Sequence, residues 1–366
     1  MAIYYTIILA LLILQILSAG RPATLLLGET MGWPKHARSK VVQTAVSFGL
    51  VALVMGLRAT TVGVDTVQYQ RRFMSAWYML TEQSYRSELG YTVLNLAFRY
   101  IGADWQVFLA ATATLTCACI GYFVYRHSPS VPTSAVLYIT IGLFTMSMSG
   151  IRQMLAVALC LLGLSLLLKN RGAWFFALVG AAFTIHNSAV VFLPMWLLRR
   201  ARLKRASVFI LIIGASASVL LRNPLVALLS HFRPSRYLAY ELFGGYNLNP
   251  LLAGVVVLIP LFCLLVNKDY DVPTGRFSST TSVLFAMSCL GIFFTMLAYN
   301  SGQIGRLAYY FTTSNVVLIP ASLAGVPDKY LRALLALLIL SLCVLYFVIS
   351  TPGGTLRIDS YSFFWQ

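Results

Sequence analysis

The feature that most restricts this chain is a series of ten apolar stretches, each close to the roughly 20 residues that a helix needs to cross a bilayer. Hydrophobic residues make up 59% of the chain and charged residues 10%, against about 25% charged in soluble domains. This composition excludes a soluble enzyme, a secreted disulfide scaffold and a disordered chain. We therefore expect an all-α, polytopic integral membrane protein with about ten transmembrane helices, forming a single transmembrane domain over residues 1–366. The expected spans are 2–18, 41–57, 105–125, 133–150, 151–168, 206–222, 250–266, 279–298, 306–325 and 333–350.

Two further apolar stretches do not fit a simple crossing. Residues 90–102 are too short, and residues 174–198 are interrupted by Thr184, His186, Asn187 and Pro194. A single crossing by the second stretch would move the basic cluster that follows it to the wrong side of the membrane. We expect this stretch to enter and return as two half-helices, which a membrane tolerates only where protein or a water-filled cavity surrounds the break.

The charges orient these spans. The chain has 27 Lys and Arg against 10 Asp and Glu, a net charge of +17. Its bases lie between apolar runs, which favours membrane orientation and anionic substrates over nucleic acid. The positive-inside rule places both termini outside, with external loops near 58–104 and 223–249.

On this topology, 16 bases lie inside, six of them Lys, and all 11 bases outside are Arg. Guanidinium groups bind phosphate bidentately, whereas an ammonium acts as a point charge. The pattern predicts an outward-facing site for a phosphorylated or diphosphate substrate. Chance is the alternative, because most bases of the chain are Arg.

A first group of polar residues lies in the first external loop. Asp65, Tyr69 and Arg72 have helical spacing and are expected on one face of a short interfacial helix. Glu88 precedes a short apolar segment, where a carboxylate either compensates the helix dipole or takes part in chemistry.

A second group lies at the ends of apolar runs. Arg152 and Gln153 stand where two runs meet, and Arg306 follows a glycine at the start of another. An arginine in the centre of hydrocarbon costs about 3 kcal/mol, so each must lie at an interface or line a cavity. Beside a helix N-terminus it forms an anion site, and snorkelling to the headgroups is the alternative. His186, at the break in 174–198, fits a general base or an interhelical hydrogen-bonding residue.

Other chemistries are not indicated. The sequence has no Walker loop, no GxGxxG, no HExxH and no GxSxG, which are the motifs of nucleotide, zinc and serine-hydrolase sites. All six cysteines fall in apolar stretches, and no clustered set of His and carboxylates provides metal ligands. We therefore expect neither a metal nor a cofactor.

An ordered set of motifs carries a resemblance to a known family. The motifs are Gly56-Leu57-Arg58 with Gly63-x-Asp65-x-x-x-Tyr69, Glu88-x-Gly90-Tyr91-x-x-Leu94-Asn95, Arg152-Gln153 before an Ala-rich helix, and Ile185-His186-x-Ser188 before Leu193-Pro194. In these motifs the chain resembles the EpsG branch of the Wzy-type polysaccharide polymerases. The resemblance covers about residues 41–200 and continues more loosely through a tyrosine-rich external segment and Arg306 with Tyr309 and Tyr310.

The resemblance implies an enzyme that joins oligosaccharide repeat units carried on undecaprenyl diphosphate, at the outer face of the bacterial cytoplasmic (inner) membrane. Its product would be an exopolysaccharide, a capsule or an O-antigen. In this reaction the non-reducing-end hydroxyl of one lipid-linked unit attacks the anomeric carbon of another and expels undecaprenyl diphosphate. The implied partners are the lipid-linked oligosaccharide, the bilayer, and a chain-length regulator and a flippase of the same pathway.

The hypothesis gives roles to the polar residues. Arg152 and Arg306, with Arg58 as a third cation, stabilise the departing diphosphate, since charge stabilisation of the leaving group is usually the largest catalytic term. His186 is the preferred base, with Asp65 and Glu88 as competing carboxylates. The expected substrate-binding residues are Arg58, Tyr69, Arg72, Tyr91, Asn95, Gln153, Tyr309 and Tyr310.

Three other functions remain open from the sequence. A ligase that transfers finished glycan to lipid A or a protein would use the same outward arginines. A membrane-bound O-acyltransferase also places a His within helices, but acyl-CoA would reach it from the cytoplasm. A flippase would move the lipid-linked unit without lengthening it.

Overall fold

The computed structural model describes residues 1–19, 35–79, 88–220, 250–271, 274–298, 302–354 and 356–366. Most of these residues are helical and only two short strands are present among them, which confirms the all-α class. The described helices, numbered along the chain, are α1 (Ala2–Ala19), α2 (Lys35–Gly56), α3 (Thr66–Met74), α4 (Ala76–Met79), α5 (Leu89–Tyr100), α6 (Trp105–His127), α7 (Val131–Thr140), α8 (Leu143–Ser149), α9 (Ile151–Leu167), α10 (Gly172–Ile185), a 3-10 helix (Asn187–Phe192), α11 (Met195–Leu198), α12 (Arg205–Ser216), α13 (Pro250–Val266), α14 (Ser279–Leu297), α15 (Gly302–Leu307), α16 (Tyr309–Thr312), α17 (Asn315–Ala324) and α18 (Lys329–Ser350). Strands β1 (Tyr270–Asp271) and β2 (Arg276–Phe277) pair antiparallel.

The apolar runs are helices, as the sequence predicts. Within the described residues, five helical segments are long and apolar enough to cross a membrane, or six if the bent pair α7 and α8 counts as one. The other four predicted spans coincide with shorter apolar helices, namely α1, α9, α12 and α13. The chain is therefore a multi-pass membrane protein, and the count of ten crossings stays a prediction.

Two of the apolar runs are interrupted. The run predicted as one span over 133–150 consists of α7 and α8, inclined at 62°, because Gly142 between them adopts a left-handed φ of +89° that favours glycine. The run 174–198 breaks at His186, whose backbone is extended between α10 and the 3-10 helix. The predicted break is confirmed, and its path into and out of the membrane stays a prediction.

The described residues divide into two compact units, 1–193 with 333–366 and 194–332; the single domain expected over 1–366 stays a prediction. In the first unit, α6 packs against α2 and α9, and α9 packs against α10. The buried residues of α6 recur at spacings of three and four along the helix, so one broad face packs within the unit, while Val107 and Leu115 on the other face are exposed. Helices α2 and α6 approach closely at Gly56, where a Cβ would lie 3.0 Å from the Cα of Ala110.

One end of the first unit is closed by backbone pairing between distant segments. The N–H of Ala59 donates to Ser362 O, and the N–H of Gly63 donates to Arg357 O, at 2.9 and 3.0 Å. The hydroxyl of Tyr4 in α1 donates to Ile358 O at 2.7 Å. The segment 356–366 therefore fixes the loop that leads into α3.

The second unit is built around α14, which packs against α12, α13 and α16. The loop between α13 and α14 contains the β hairpin, and the carboxylate of Asp269 accepts hydrogen bonds from the hydroxyls of Ser278 and Thr281. The buried side chain of Asn267 donates to Ser322 Oγ at 3.1 Å. Polar side chains thus tie this loop to α14 and α17.

Candidate functional site

Glu88 lies at the centre of a charged cluster in the first unit. Its Oε2 forms an ion pair with Nη1 of Arg152, and its Oε1 lies 2.8 Å from Nδ1 of His186. Nη1 of Arg72 approaches Oε2 at 4.0 Å. Among the described residues these are the ion pairs of the chain, and all of them involve this one carboxylate.

The backbone brings these side chains together from four helices. Glu88 immediately precedes α5, Arg152 lies in the first turn of α9, His186 follows α10, and Arg72 lies in the last turn of α3. The side chain of Glu88 forms no capping hydrogen bond with α5. Dipole compensation at that N-terminus therefore describes its setting less well than pairing with Arg152 and His186.

A close approach of α5 and α10 places Glu88 beside His186. A Cβ on Gly90 would lie 2.8 Å from Cβ of Thr184 and 3.0 Å from its carbonyl carbon. Real Cβ atoms essentially never come within 3.0 Å of such neighbours, so a larger residue at 90 would push the helices apart. Glycine at this position is therefore required for the carboxylate to reach the imidazole.

An aromatic wall encloses Arg152. Its guanidinium carbon lies 5.2 Å from the ring centroid of Tyr69 and 5.5 Å from that of Tyr91, both within cation–π range. These two rings belong to a buried cluster with Phe73 and Trp105. The wall holds the guanidinium in one orientation.

Several buried polar atoms around this wall have no hydrogen-bond partner among the described residues. They are Nε of Arg152, Oγ of Ser149 and Nε1 of Trp105, while the side chains of Tyr91 and Asn95 interact with each other. Burial raises the pKa of Tyr91 well above its usual value, so its hydroxyl stays protonated and able to donate. Because unpaired buried polar groups are costly, this set suits a ligand rich in hydroxyls or bound water.

The charged side chains of this cluster are partly exposed. The side chains of Glu88 and Arg152 are each 16% exposed, that of His186 is 25% exposed and that of Arg72 is 45% exposed. Two arginines face Glu88, and the carboxylate of Asp65 also interacts electrostatically with Arg152. The guanidinium N–H groups are the donors with which this cluster can bind an anionic ligand.

Arg58 does not join this cluster. It is fully buried and donates hydrogen bonds to Met55 O and, at 2.9 Å, to Met148 O. Burial lowers its pKa to about 10. Arg58 therefore ties the C-terminal ends of α2 and α8 together, a structural setting that the sequence did not distinguish from an anion site.

The remaining predicted residues of the first unit lie near the cluster. Tyr69, Tyr91, Asn95 and Gln153 are buried on α3, α5 and α9, and the expected helix over 65–72 is confirmed as α3. Asp65 is the residue before α3, and its carbonyl accepts the N–H of Tyr69. Its carboxylate interacts electrostatically with Arg152.

Arg306, Tyr309 and Tyr310 belong to the second unit. Arg306 lies near the start of an apolar run at 304–324, as expected, but in the last turn of α15 rather than the first turn of a long helix. That run consists of α15, α16 and α17 in succession. Tyr310 is buried and Tyr309 is half-buried. The external loop expected near 223–249 lies outside the described residues.

Three contributors to the site were not singled out from the sequence. Ser149 and Trp105 carry buried polar atoms without a partner among the described residues. Thr184 packs directly against Gly90. Ser149 stands three residues before Arg152, and Thr184 two before His186, so polar residues flanking the two motifs were the available signal. Trp105 begins an apolar helix and carried no such signal.

Comparison with known proteins gives a family. The model of the EpsG family matches residues 41–363, which include every site residue described above. The match extends well beyond the stretch in which the motifs are clearest. No curated protein and no solved structure matches the chain.

Proposed function

Because this chain belongs to the EpsG family, we propose that it joins undecaprenyl-diphosphate-linked oligosaccharide repeat units at the outer face of the bacterial cytoplasmic membrane, in exopolysaccharide, capsule or O-antigen biosynthesis. The family suggests a polysaccharide polymerase-like function. The observation that carries the proposal is the contact of one carboxylate, Glu88, with both a guanidinium and an imidazole. This arrangement supplies a base and an anion-binding cation within one partly exposed cluster.

The distribution of bases in the first unit supports an outward orientation. At one end of this unit, Lys40 and Lys169 lie against Tyr125 and Tyr122. At the end with Glu88 the cations are arginines. The positive-inside rule, applied to all bases of the sequence, assigns the end with Glu88 to the outer side, and arginines at that end suit a phosphate ligand.

His186 is the base in the proposed reaction. Glu88 accepts the Nδ1–H of His186, which leaves Nε2 as the nitrogen that accepts a proton. The acceptor hydroxyl gives its proton to Nε2 as its oxygen bonds to the anomeric carbon of the donor unit. The bond from that carbon to the diphosphate oxygen breaks, and the electron pair leaves with undecaprenyl diphosphate. Glu88 positions the imidazole and stabilises its protonated form.

The arginines stabilise the leaving group. Arg72, the most exposed member of the cluster, and Arg152 offer their guanidinium N–H groups to a diphosphate. For Arg306, in the second unit, a role as a cation for a diphosphate stays a prediction from the sequence. Tyr91 and Asn95, which are buried polar residues beside Arg152 and Glu88, are proposed to bind sugar hydroxyls, as are Tyr69 and Gln153.

The proposal is tested with purified protein in proteoliposomes that contain one defined undecaprenyl-diphosphate-linked repeat unit, without nucleotide sugar, acyl-CoA or ATP. We expect a ladder of glycans with one-unit spacing. Transfer of the labelled unit across the bilayer without lengthening would favour a flippase. Transfer to an added lipid A or protein acceptor, with no ladder, would favour a ligase.

The base is tested by replacing His186 with Ala. We expect turnover to fall on the order of 10²–10⁴-fold, the usual contribution of a general base. Asn187→Ala, an exposed neighbour in the same helix break, is the matched control and should keep the ladder. A full-length ladder from His186→Ala at matched protein levels would show that another group is the base.

A further inference from the structure

A second group of charged side chains lies at the other end of the first unit. Helix α6 runs from the aromatic wall at Trp105 to His127, a length of about 34 Å for 23 residues. Around its far end stand Lys40 from α2, Arg126 from α6 and Lys169 from the turn after α9. All three cations interact electrostatically with His127.

Tyrosines hold the two lysines in place. The ammonium of Lys169 donates to the hydroxyl of Tyr122 at 3.2 Å, and the ammonium of Lys40 lies 5.5 Å from the ring centroid of Tyr125. Both contacts anchor the cations along α6. The cluster is therefore formed by side chains with defined partners and is not a scatter of free surface lysines.

The cluster has no carboxylate of its own in the described part of the chain, where every ion pair involves Glu88. Lys40 also interacts directly with Arg126, so like charges repel one another here. His127 shares a hydrogen bond with Ser165 at 3.2 Å and supplies no negative charge. An anion bound among the three cations would offset this repulsion.

We propose that Lys40, Arg126 and Lys169 bind the phosphate of an anionic phospholipid headgroup. The cluster lies at the ends of three apolar helices, where the length of the apolar runs leads us to expect the lipid headgroups. Next to Lys40 on α2, the side chains of Val41 and Val42 are 52% and 59% exposed and offer an apolar surface to an acyl chain. Arg126 provides a guanidinium fork and the lysines provide point charges. This site is independent of the proposed polymerase activity.

The site is tested by native mass spectrometry of protein purified in the presence of equal phosphatidylglycerol and phosphatidylethanolamine. We expect preferential retention of phosphatidylglycerol. The changes Lys40→Gln, Arg126→Gln and Lys169→Gln are made singly and together as a triple variant. Retention should fall about fivefold for each cation replaced, which corresponds to about 1 kcal/mol per charge. The control is the triple variant Arg200→Gln, Lys204→Gln and Lys268→Gln, which removes the same charge from exposed positions of the second unit and should retain the lipid.

Equal retention of the two lipids, or equal loss in both triple variants, would overturn the proposal. A parallel sample contains inorganic phosphate and only the zwitterionic lipid. If phosphate alone binds in a manner that depends on the same three residues, the site takes a free ion and the lipid assignment is wrong. Should the triple variant fail to fold, the single change at exposed Lys169 gives the same readout.

Discussion

Arg58 and Arg152 stand in similar sequence settings but in different regions of the first unit. Both lie at the end of an apolar run and beside a glycine-containing motif. Arg58 is fully buried and directs its guanidinium to the backbone carbonyls of Met55 and Met148. Arg152 is 16% exposed and pairs with Glu88 between two tyrosine rings.

The difference shows that the acceptor of an arginine, more than its position in an apolar run, indicates its role. Carbonyls at helix ends need a donor wherever they are buried, so Arg58 satisfies a structural demand. Replacing a whole buried ion pair by apolar residues is often neutral for stability, so folding alone does not require a carboxylate at position 88. Its retention with Arg152 and His186 therefore favours a chemical function.

The largest effect that would test this contrast is expected from Glu88→Gln. The amide cannot neutralise Arg152 or orient a protonated His186, so turnover in proteoliposomes should fall on the order of 10³-fold. Asp104→Asn is the control, because Asp104 caps α6 and Asn caps a helix about equally well. If Asp65→Asn abolishes the ladder and Glu88→Gln does not, the carboxylate of the site is Asp65.

Replacing Arg152 by lysine should lower turnover, whereas replacing Arg58 by lysine should lower stability. Arg152→Lys keeps the charge beside Glu88 but loses the planar fork, so turnover should fall about 10–100-fold with little change in thermal midpoint. Arg58→Lys loses the reach to two carbonyls, which costs about 1–3 kcal/mol of stability. We measure ladder formation per folded molecule and the unfolding midpoint in detergent. The contrast fails if both variants change the same quantity.

Two glycines extend the comparison to the backbone. Gly90→Ala forces α5 away from Thr184 and separates Glu88 from His186, so we expect turnover to fall about tenfold with modest loss of stability. Gly63 has a φ of +91° and lies against Met148 O, so Gly63→Ala should cost at least 1 kcal/mol of stability. Thr184→Gly should partly restore turnover to the Gly90 variant, and no restoration would contradict the packing explanation.

The smallest effect concerns Asp359, in the segment that pairs with the loop after Arg58. A hydrogen bond from the N–H of Gly353 holds the pKa of Asp359 below its usual value. A lowered folded pKa stabilises the protein above the ordinary Asp pKa of about 3.9, and the gain is lost as the pH falls through the lower value. The drop in thermal midpoint on acidification should be slightly smaller in Asp359→Asn. An identical acid profile would assign that stability to other groups.

Much of the fold could be predicted because hydropathy acts locally. The apolar runs are helical, some as one helix and others as two or three in succession, and the break at His186 is present. Helix α3 contains Tyr69 and Arg72, with Asp65 as the residue before it. The kink at Gly142 and the division of 304–324 into three helices were not predicted, since composition does not report where an apolar helix bends. The pairing of the site residues could not be predicted from the sequence, because Glu88 and His186 are 98 residues apart.

The sequence by itself determined that the chain is helical and membrane-embedded, and it identified Glu88, Arg152 and His186 among its few polar residues at apolar boundaries. It did so because hydrophobic length and charge placement are properties of single segments. Only the tertiary structure decided that these three side chains meet while Arg58 binds carbonyls elsewhere. That choice depends on packing between distant helices, above all the contact of Gly90 with Thr184, and such contacts have no signature within any one segment.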